Sequence, residues 1–283
     1  ADPGMMINPP GASSAAASSV AILALNGLEM DRRVENEARS LAERGLRVVR
    51  IGMLEHLDQA VKEDTGFDTI VRMHPSWHRP RPSRAPASGT APKSLVRQWR
   101  LKLALMSAIR RIAPRSMWSL DRIRAWRRWT AAYLETCVTL EPQAVIACDL
   151  DTLAAGAELK RRCGCVLVYD AHELWTEQHA HRQGTRLFKW YMNRQEGKLA
   201  RDADLVTTVS SRFASRMSAR YGIPVPTVVY SGTVGCSGES SDAQLPIRLY
   251  FQGSISPDRG LEEIVESMNG LQGIATLTVQ GRG

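Results

Sequence analysis

Val20-Ala-Ile-Leu-Ala-Leu25, a polar loop from Asn26 to Asp31, a stripe of Val34, Ala38, Leu41 and Ala42, a stop at Gly45, and Val48 to Ile51 make one continuous pattern. The two apolar runs are too short for helices and read as strands buried on both faces. The three- and four-residue spacing of the stripe is helical, and Gly45 ends it. Strand, helix, strand at this spacing is a βαβ unit, which makes its strands parallel. The alternation recurs downstream: strands at 144–147, 166–169, 205–209 and 225–230, with helices at 152–162, 186–200 and 211–221 between them. This predicts an α/β protein with a Rossmann-like, doubly wound parallel sheet. A Pro-, Ser- and Arg-rich excursion from Pro75 to Pro92 and two helices, 94–112 and 119–139, interrupt the alternation. Residues 232–245 read as a linker, and the pattern restarts with a strand at 248–252, a glycine turn, a helix at 261–268 and a strand at 275–279. The expected organisation is a tail over 1–19, a first Rossmann-like domain over 20–232, a linker over 233–246, and the first βαβ unit of a truncated second Rossmann-like domain over 247–283.

Composition narrows the function classes. No apolar run reaches the roughly 20 residues of a membrane-spanning helix. The stretch from Asn8 to Ser19 lacks the cationic and apolar regions of a signal peptide, so the expectation is a cytoplasmic protein. The five cysteines include no pair of CxxC motifs, which predicts reduced, mostly buried thiols rather than a zinc site. Charge is concentrated: residues 72–128 hold 15 Lys/Arg against Asp121 alone, a local +14 that leaves about −6 for the rest of a +8 chain. Such a segment is a surface feature and not a property of the fold. Within it, the 119–139 helix carries Leu120, Ile123, Trp126, Tyr133 and Leu134 on one broad face, with Arg122, Arg124, Arg127 and Arg128 around the rest. Two readings stand side by side. Arg124, Trp126, Arg127 and Arg128 form a contact for an anionic membrane surface, or the helix packs its apolar side on the sheet and its arginines are solvated. No RNA- or DNA-binding motif accompanies the patch, so nucleic acid is not an expected partner.

Chemistry concentrates in Val166-Leu-Val-Tyr-Asp-Ala-His-Glu-Leu-Trp175. Ligands of open α/β sheets sit beyond the carboxyl ends of strands, and this strand delivers Asp170, His172 and Glu173 to that edge. Asp149-Leu-Asp151 offers two carboxylates at i and i+2 that can chelate a cation, although Asp151 is better read as the N-cap of the following helix. His56, His74, His78, His179 and His181 lack such surroundings and are expected on the surface.

Four stretches together resemble the retaining glycosyltransferases of the GT-B fold, in the large bacterial family that uses nucleotide sugars to build surface glycans. They are Asn26 to Ala38 (NGLEMDRRVENEA), Cys148 to Leu153 (CDLDTL), Tyr169 to Glu173 (YDAHE) and Gly253 to Leu261 (GSISPDRGL), in family order across most of the chain. The resemblance implies a glycosyltransferase taking a nucleotide diphosphate sugar as donor and a lipid-linked or polysaccharide acceptor, with no metal and no other cofactor. It implies that His172 contacts the transferred sugar, and that Gly253, Ser254, Arg259 and Gly260 hold the donor diphosphate. Ser254 stands where the family carries a first basic residue, and Cys148 where it often has His. Asp31, Arg33, Asp149, Asp170 and Glu173 are loop or acceptor-contact candidates. Two alternatives remain: a non-catalytic Rossmann-like binding module, and a dinucleotide-dependent enzyme, against which the absence of G-x-G-x-x-G after Leu25 counts.

Overall fold

The computed structural model describes residues 18–29, 31–78, 113–178, 181–230, 232, 245–253, 255 and 259–281. The chain divides into two compact units, 1–231 and 232–283. In the first, β1 (Ser19–Leu23), α1 (Arg32–Ala42), β2 (Arg47–Met53), β3 (Lys62–Asp64), β4 (Thr69–Met73), α2 (Pro114–Val138), β5 (Ala144–Cys148), α3 (Asp149–Cys163), β6 (Val166–Ala171), α4 (Arg186–Asp202), β7 (Leu205–Thr208), α5 (Ser211–Tyr221) and β8 (Thr227–Val228) follow in order. The eight strands form one sheet ordered β3-β4-β2-β1-β5-β6-β7-β8. Every pairing is parallel except that of β3 with β4. The chain winds from β1 toward β2, then returns to β5 on the other side of β1. The topological switch point therefore lies between β1 and β5, where such sheets place their ligands.

Successive residues of a strand face opposite sides, and β1 shows both sides buried. Ala21 and Leu23 belong to the larger core beneath α2, α3, α4 and α5, while Val20 and Ile22 belong to the smaller core with Val34 and Ala38 of α1. α3 lies close to the sheet because Gly156 has no side chain. A Cβ there would stand 2.6 Å from Leu167 Cδ1 and 3.2 Å from Ala147 Cβ. Gly164, at φ 67° in the left-handed region, caps its C-terminus.

Two strands escape the sequence pattern. β3 is exposed along its whole length, and β4 buries a charged residue, Arg72, so neither reads as an apolar run. Arg72 donates to the carbonyls of Gly27 (3.0 Å) and Ala60 (2.9 Å) and pairs with Glu63, while Arg50 is buried in a two-pronged pair with Asp68. Arg72 thus leaves the basic surface segment and becomes a structural brace.

At Trp126, α2 decides between the two readings of its apolar face. Trp126 is buried, with its indole N–H donating to the Leu150 carbonyl at 3.0 Å; it packs α2 on α3 and is not a membrane contact. Arg124 is exposed and pairs with Asp121 at 3.4 Å, Arg127 reaches Tyr191 Oη at 3.5 Å, and Arg128 lies 5.8 Å over the Trp77 ring. The expected helix over 94–112 and most of the Pro75–Pro92 excursion lie outside the described residues, as does Cys236; Cys137, Cys148 and Cys165 are buried free thiols and Cys163 is an exposed one.

The second unit pairs β9 (Ile247–Gln252) in parallel with β10 (Ala275–Gln280), with α6 (Leu261–Ser267) between them in sequence. No helix among the described residues is long and apolar enough to cross a membrane.

Candidate active site

Three neighbouring strand ends converge beside the switch point. β6 closes with Asp170 and Ala171 and is followed by His172; β5 closes with Cys148, in register with Asp170; β7 sets Thr207 beside Asp170 on the other side. α1 brings Arg33 and Glu37, one turn apart. Its start is fixed by Asp31, whose carboxylate accepts the Val34 N–H (3.2 Å) and the Asn26 side-chain amide (2.7 Å). Asp31 is thus a cap and loop brace.

Asp170 is the hub, 1% exposed. Arg33 grips it with two prongs, Nε to Oδ2 at 3.1 Å and Nη2 to Oδ1 at 2.7 Å; Thr207 Oγ1 donates to Oδ1 at 2.6 Å, and His172 Nε2 to Oδ2 at 2.6 Å. Bidentate guanidinium–carboxylate contacts fix orientation as well as charge. Burial opposes ionisation of Asp170, but the bonds from His172 and Thr207 and the His172 and Arg33 charges outweigh it and hold the group at about 2. Glu37 goes the other way. Burial, then the Asp170 charge, push it up to about 8, so it carries the proton that two close carboxyls cannot both give up. Its Oε1 lies 3.6 Å from Arg33 Nε, and its Oε2 is buried with no hydrogen-bond partner among the described residues. Glu37 was not apparent from the sequence, although its i+4 spacing from Arg33 on one helix face was a signal.

His172 bridges two carboxylates. Its main-chain N–H donates to Asp149 Oδ1 at 2.9 Å, and its Nδ1 lies 3.8 Å from Asp149 Oδ2, beyond hydrogen-bond range. Burial works against the charged ring, yet the bond to Asp170 and the charges of Asp149 and Asp170 win and raise its pKa. The ring is thereby locked through Nε2, and among the described residues its Nδ1 makes no hydrogen bond, with Asp149 Oδ2 beside it at 3.8 Å. Asp149 itself sits at φ 56°, in the left-handed region at the first residue of α3, and burial lifts it to about 6 against the pull of His172.

Asp151 does not cap α3, whose cap position is Cys148. It accepts the Trp175 indole N–H at 2.7 Å. Trp175 stacks on His181 with ring centroids 3.7 Å apart, and His181 is buried between the Trp175 carbonyl (2.6 Å from Nδ1) and Arg122 (2.9 Å from Nε2). His181 is therefore interior and not a surface residue. Burial first, then the Arg122 charge, lower it to about 4, and it stays neutral. This stack fixes the chain just after His172. Glu173 is exposed at the bend between them.

Cys148 Sγ, an Asp170 oxygen and a His172 nitrogen all lie within 4.8 Å of one another, the spacing of a metal-ligand set. The set suits a cation poorly: Arg33 already occupies both Asp170 oxygens, and burial beside Glu37 and Asp170 pushes the Cys148 thiol far from its thiolate.

The remaining candidates lie in the second unit. Gly253 donates its N–H to the Gln280 carbonyl at 3.1 Å, Arg259 is exposed, and Gly260 at φ 71° caps α6. Ser254 lies outside the described residues.

Residues 103–233 match the Glycosyltransferase Family 4 model, a stretch that includes Asp149, Asp170 and His172. No curated protein matches the sequence. Among solved structures, the chain is similar to a sucrose-phosphate synthase from Thermosynechococcus elongatus, at 12% identity, TM-score 0.57, covering 94% of this chain and 71% of that one. It is likewise similar to the calicheamicin glycosyltransferase CalG4, at 11% identity, TM-score 0.50, covering 94% and 66%. The fold is that of the GT-B glycosyltransferases, as the resemblance implied.

Proposed function

We propose that the chain is a glycosyltransferase that moves a sugar from a nucleotide diphosphate sugar to a lipid-linked or polysaccharide acceptor, with retention, in surface-glycan synthesis. One observation carries the reading: a histidine beyond the end of β6, held by hydrogen bonds to the carboxylates of Asp170 and Asp149, within the stretch that matches a glycosyltransferase family. In this reading His172 donates to a hydroxyl of the transferred sugar, and Arg33 holds Asp170 so that the ring cannot swing. Positioning and electrostatics are its contribution, not proton abstraction. The bond from the anomeric carbon to the diphosphate breaks, the acceptor oxygen bonds that carbon on the same face, and the acceptor proton passes to the departing phosphate. Gly253, Ser254, Arg259 and Gly260 are assigned to the diphosphate and Glu173 to the acceptor side. No metal is required. Exposed Arg124 and Arg127 suit a peripheral position on the cytoplasmic face of an anionic membrane.

A thermal-shift screen against nucleotide diphosphate sugars, followed by proton NMR of the product's anomeric signal, tests the reading. Stabilisation by one donor and a product of unchanged anomeric configuration are expected. Stabilisation by a nicotinamide dinucleotide instead would favour the dinucleotide alternative.

A further inference from the structure

The outer face of α4 carries a stripe that neither the core nor the crevice uses. Leu187 and Trp190 are exposed (72% and 59%), and Arg194 and Arg201 continue the stripe at helical spacing. Between this face and the end of α5 lies a cavity of about 240 Å³ lined by Trp190, Asn193, Arg194, Arg201, Arg220 and Tyr221. Among the described residues its lining holds three guanidinium groups and no carboxylate. Two arginines are braced: Arg201 Nη1 donates to the Tyr221 carbonyl at 2.6 Å, and Arg220 pairs with Glu177, which Arg216 also reaches at 2.9 Å. Counting Glu177 and Arg216, four cations surround one anion.

We propose that this cavity binds the exposed phosphate monoester headgroup of an anionic lipid, with Trp190 and Leu187 entering the headgroup–acyl boundary beside it. Guanidinium forks match phosphate oxygens in geometry and charge. An indole and a leucine left in water next to such a fork fit an amphiphile better than a freely soluble anion. Braced arginines lose little freedom on binding, which favours a specific headgroup over diffuse attraction. The proposal rests on the peripheral-membrane reading and sharpens it by adding a defined pocket on α4 and α5 to the exposed arginines of α2.

The test is co-flotation of the whole chain with phosphatidylcholine vesicles carrying either phosphatidic acid or phosphatidylserine, matched in surface potential. Wild type is expected to favour phosphatidic acid at least fivefold. Arg194→Gln with Arg220→Gln, which leaves Arg216 to pair with Glu177, should lower binding to phosphatidic acid roughly thirtyfold and abolish the preference, with an unchanged melting temperature. If the double variant does not fold, Arg194→Gln alone, on an exposed helical surface, should lower it about fivefold; no change would overturn the proposal. Equal wild-type binding to both vesicle types overturns headgroup recognition but leaves the general membrane reading intact. Binding to neither overturns both. Stabilisation by millimolar inorganic phosphate without vesicle binding makes this a soluble-phosphate site and overturns the lipid assignment.

Discussion

Replacing Glu196 by Gln should make the first unit more stable at alkaline pH and less stable in acid. Glu196 is fully buried on α4; its Oε1 accepts from Tyr169 Oη at 2.7 Å and its Oε2 from Tyr221 Oη at 2.8 Å. Burial raises its pKa to about 7, and the two tyrosine bonds only partly offset that. Against an unfolded value near 4.5 the sign is clear. Below pH 4.5 both states are protonated and Glu196 adds no pH-dependent term. Between 4.5 and 7 the unfolded chain ionises first, so stability falls as pH rises. Above 7 the full loss is present, about 3 kcal/mol from some 2.5 pH units at 1.36 kcal/mol each. Gln cannot ionise and escapes that loss, but its amide accepts at one atom where the carboxyl accepted at two, a loss of about 1 kcal/mol. The variant should therefore be about 1 kcal/mol less stable at pH 4.5 and about 2 kcal/mol more stable at pH 8.5, crossing between. Urea unfolding followed by tryptophan fluorescence measures this for the first unit alone, because all seven tryptophans lie within residues 77–190. Taking the variant difference at each pH removes titrations common to both proteins. A difference that stays constant from pH 5 to 8.5 would refute the reasoning.

Four further outcomes follow. His172→Ala should lower turnover by about a hundredfold or more, the scale of one lost preorganised contact, with an unchanged circular-dichroism melt. Asp149→Asn removes a charge that raises the His172 pKa, so the alkaline limb of the rate profile should move to lower pH; an unmoved limb would mean that His172 is not the group titrating. Gly156→Val places methyl groups where Leu167 and Ala147 already stand and should lower the melting temperature by roughly 10 °C, from about 3 kcal/mol of overpacking. Turnover should survive EDTA, whereas strong inhibition would revive a metal at Cys148, Asp170 and His172.

The sheet was legible because its core strands are apolar runs separated by amphipathic helices with recognisable stops. α5, the β6 strand and the restart at 247 follow from local pattern. Local pattern also explains the failures. β4 buries Arg72 through bonds to Gly27 and Ala60, and no one-dimensional reading reveals that a charged residue inside a strand has found buried acceptors. Trp126 stayed between two readings for a related reason. α2 offers apolar residues around much of its circumference, so periodicity shows that one face is covered without saying which, and α3 as the partner of that face is a tertiary fact.

The candidate site divides along the same line. His172 and Asp170 were visible because they are neighbours at the end of one strand, but what gives them chemistry is remote. Arg33 lies 137 positions from Asp170, and Glu37 keeps its proton because folding buries it and sets it beside that carboxyl. Had Asp170 kept an ordinary solvated environment, it would contribute a charge but no fixed direction. With Arg33, Thr207 and His172 on its two oxygens it cannot turn, and the imidazole it holds cannot turn either. The winding of the sheet explains why this happens here. The reversal beside β1 opens a crevice into which α1 from one side and β5, β6 and β7 from the other can place polar groups. Residues far apart in sequence are thereby assembled around a single buried carboxylate.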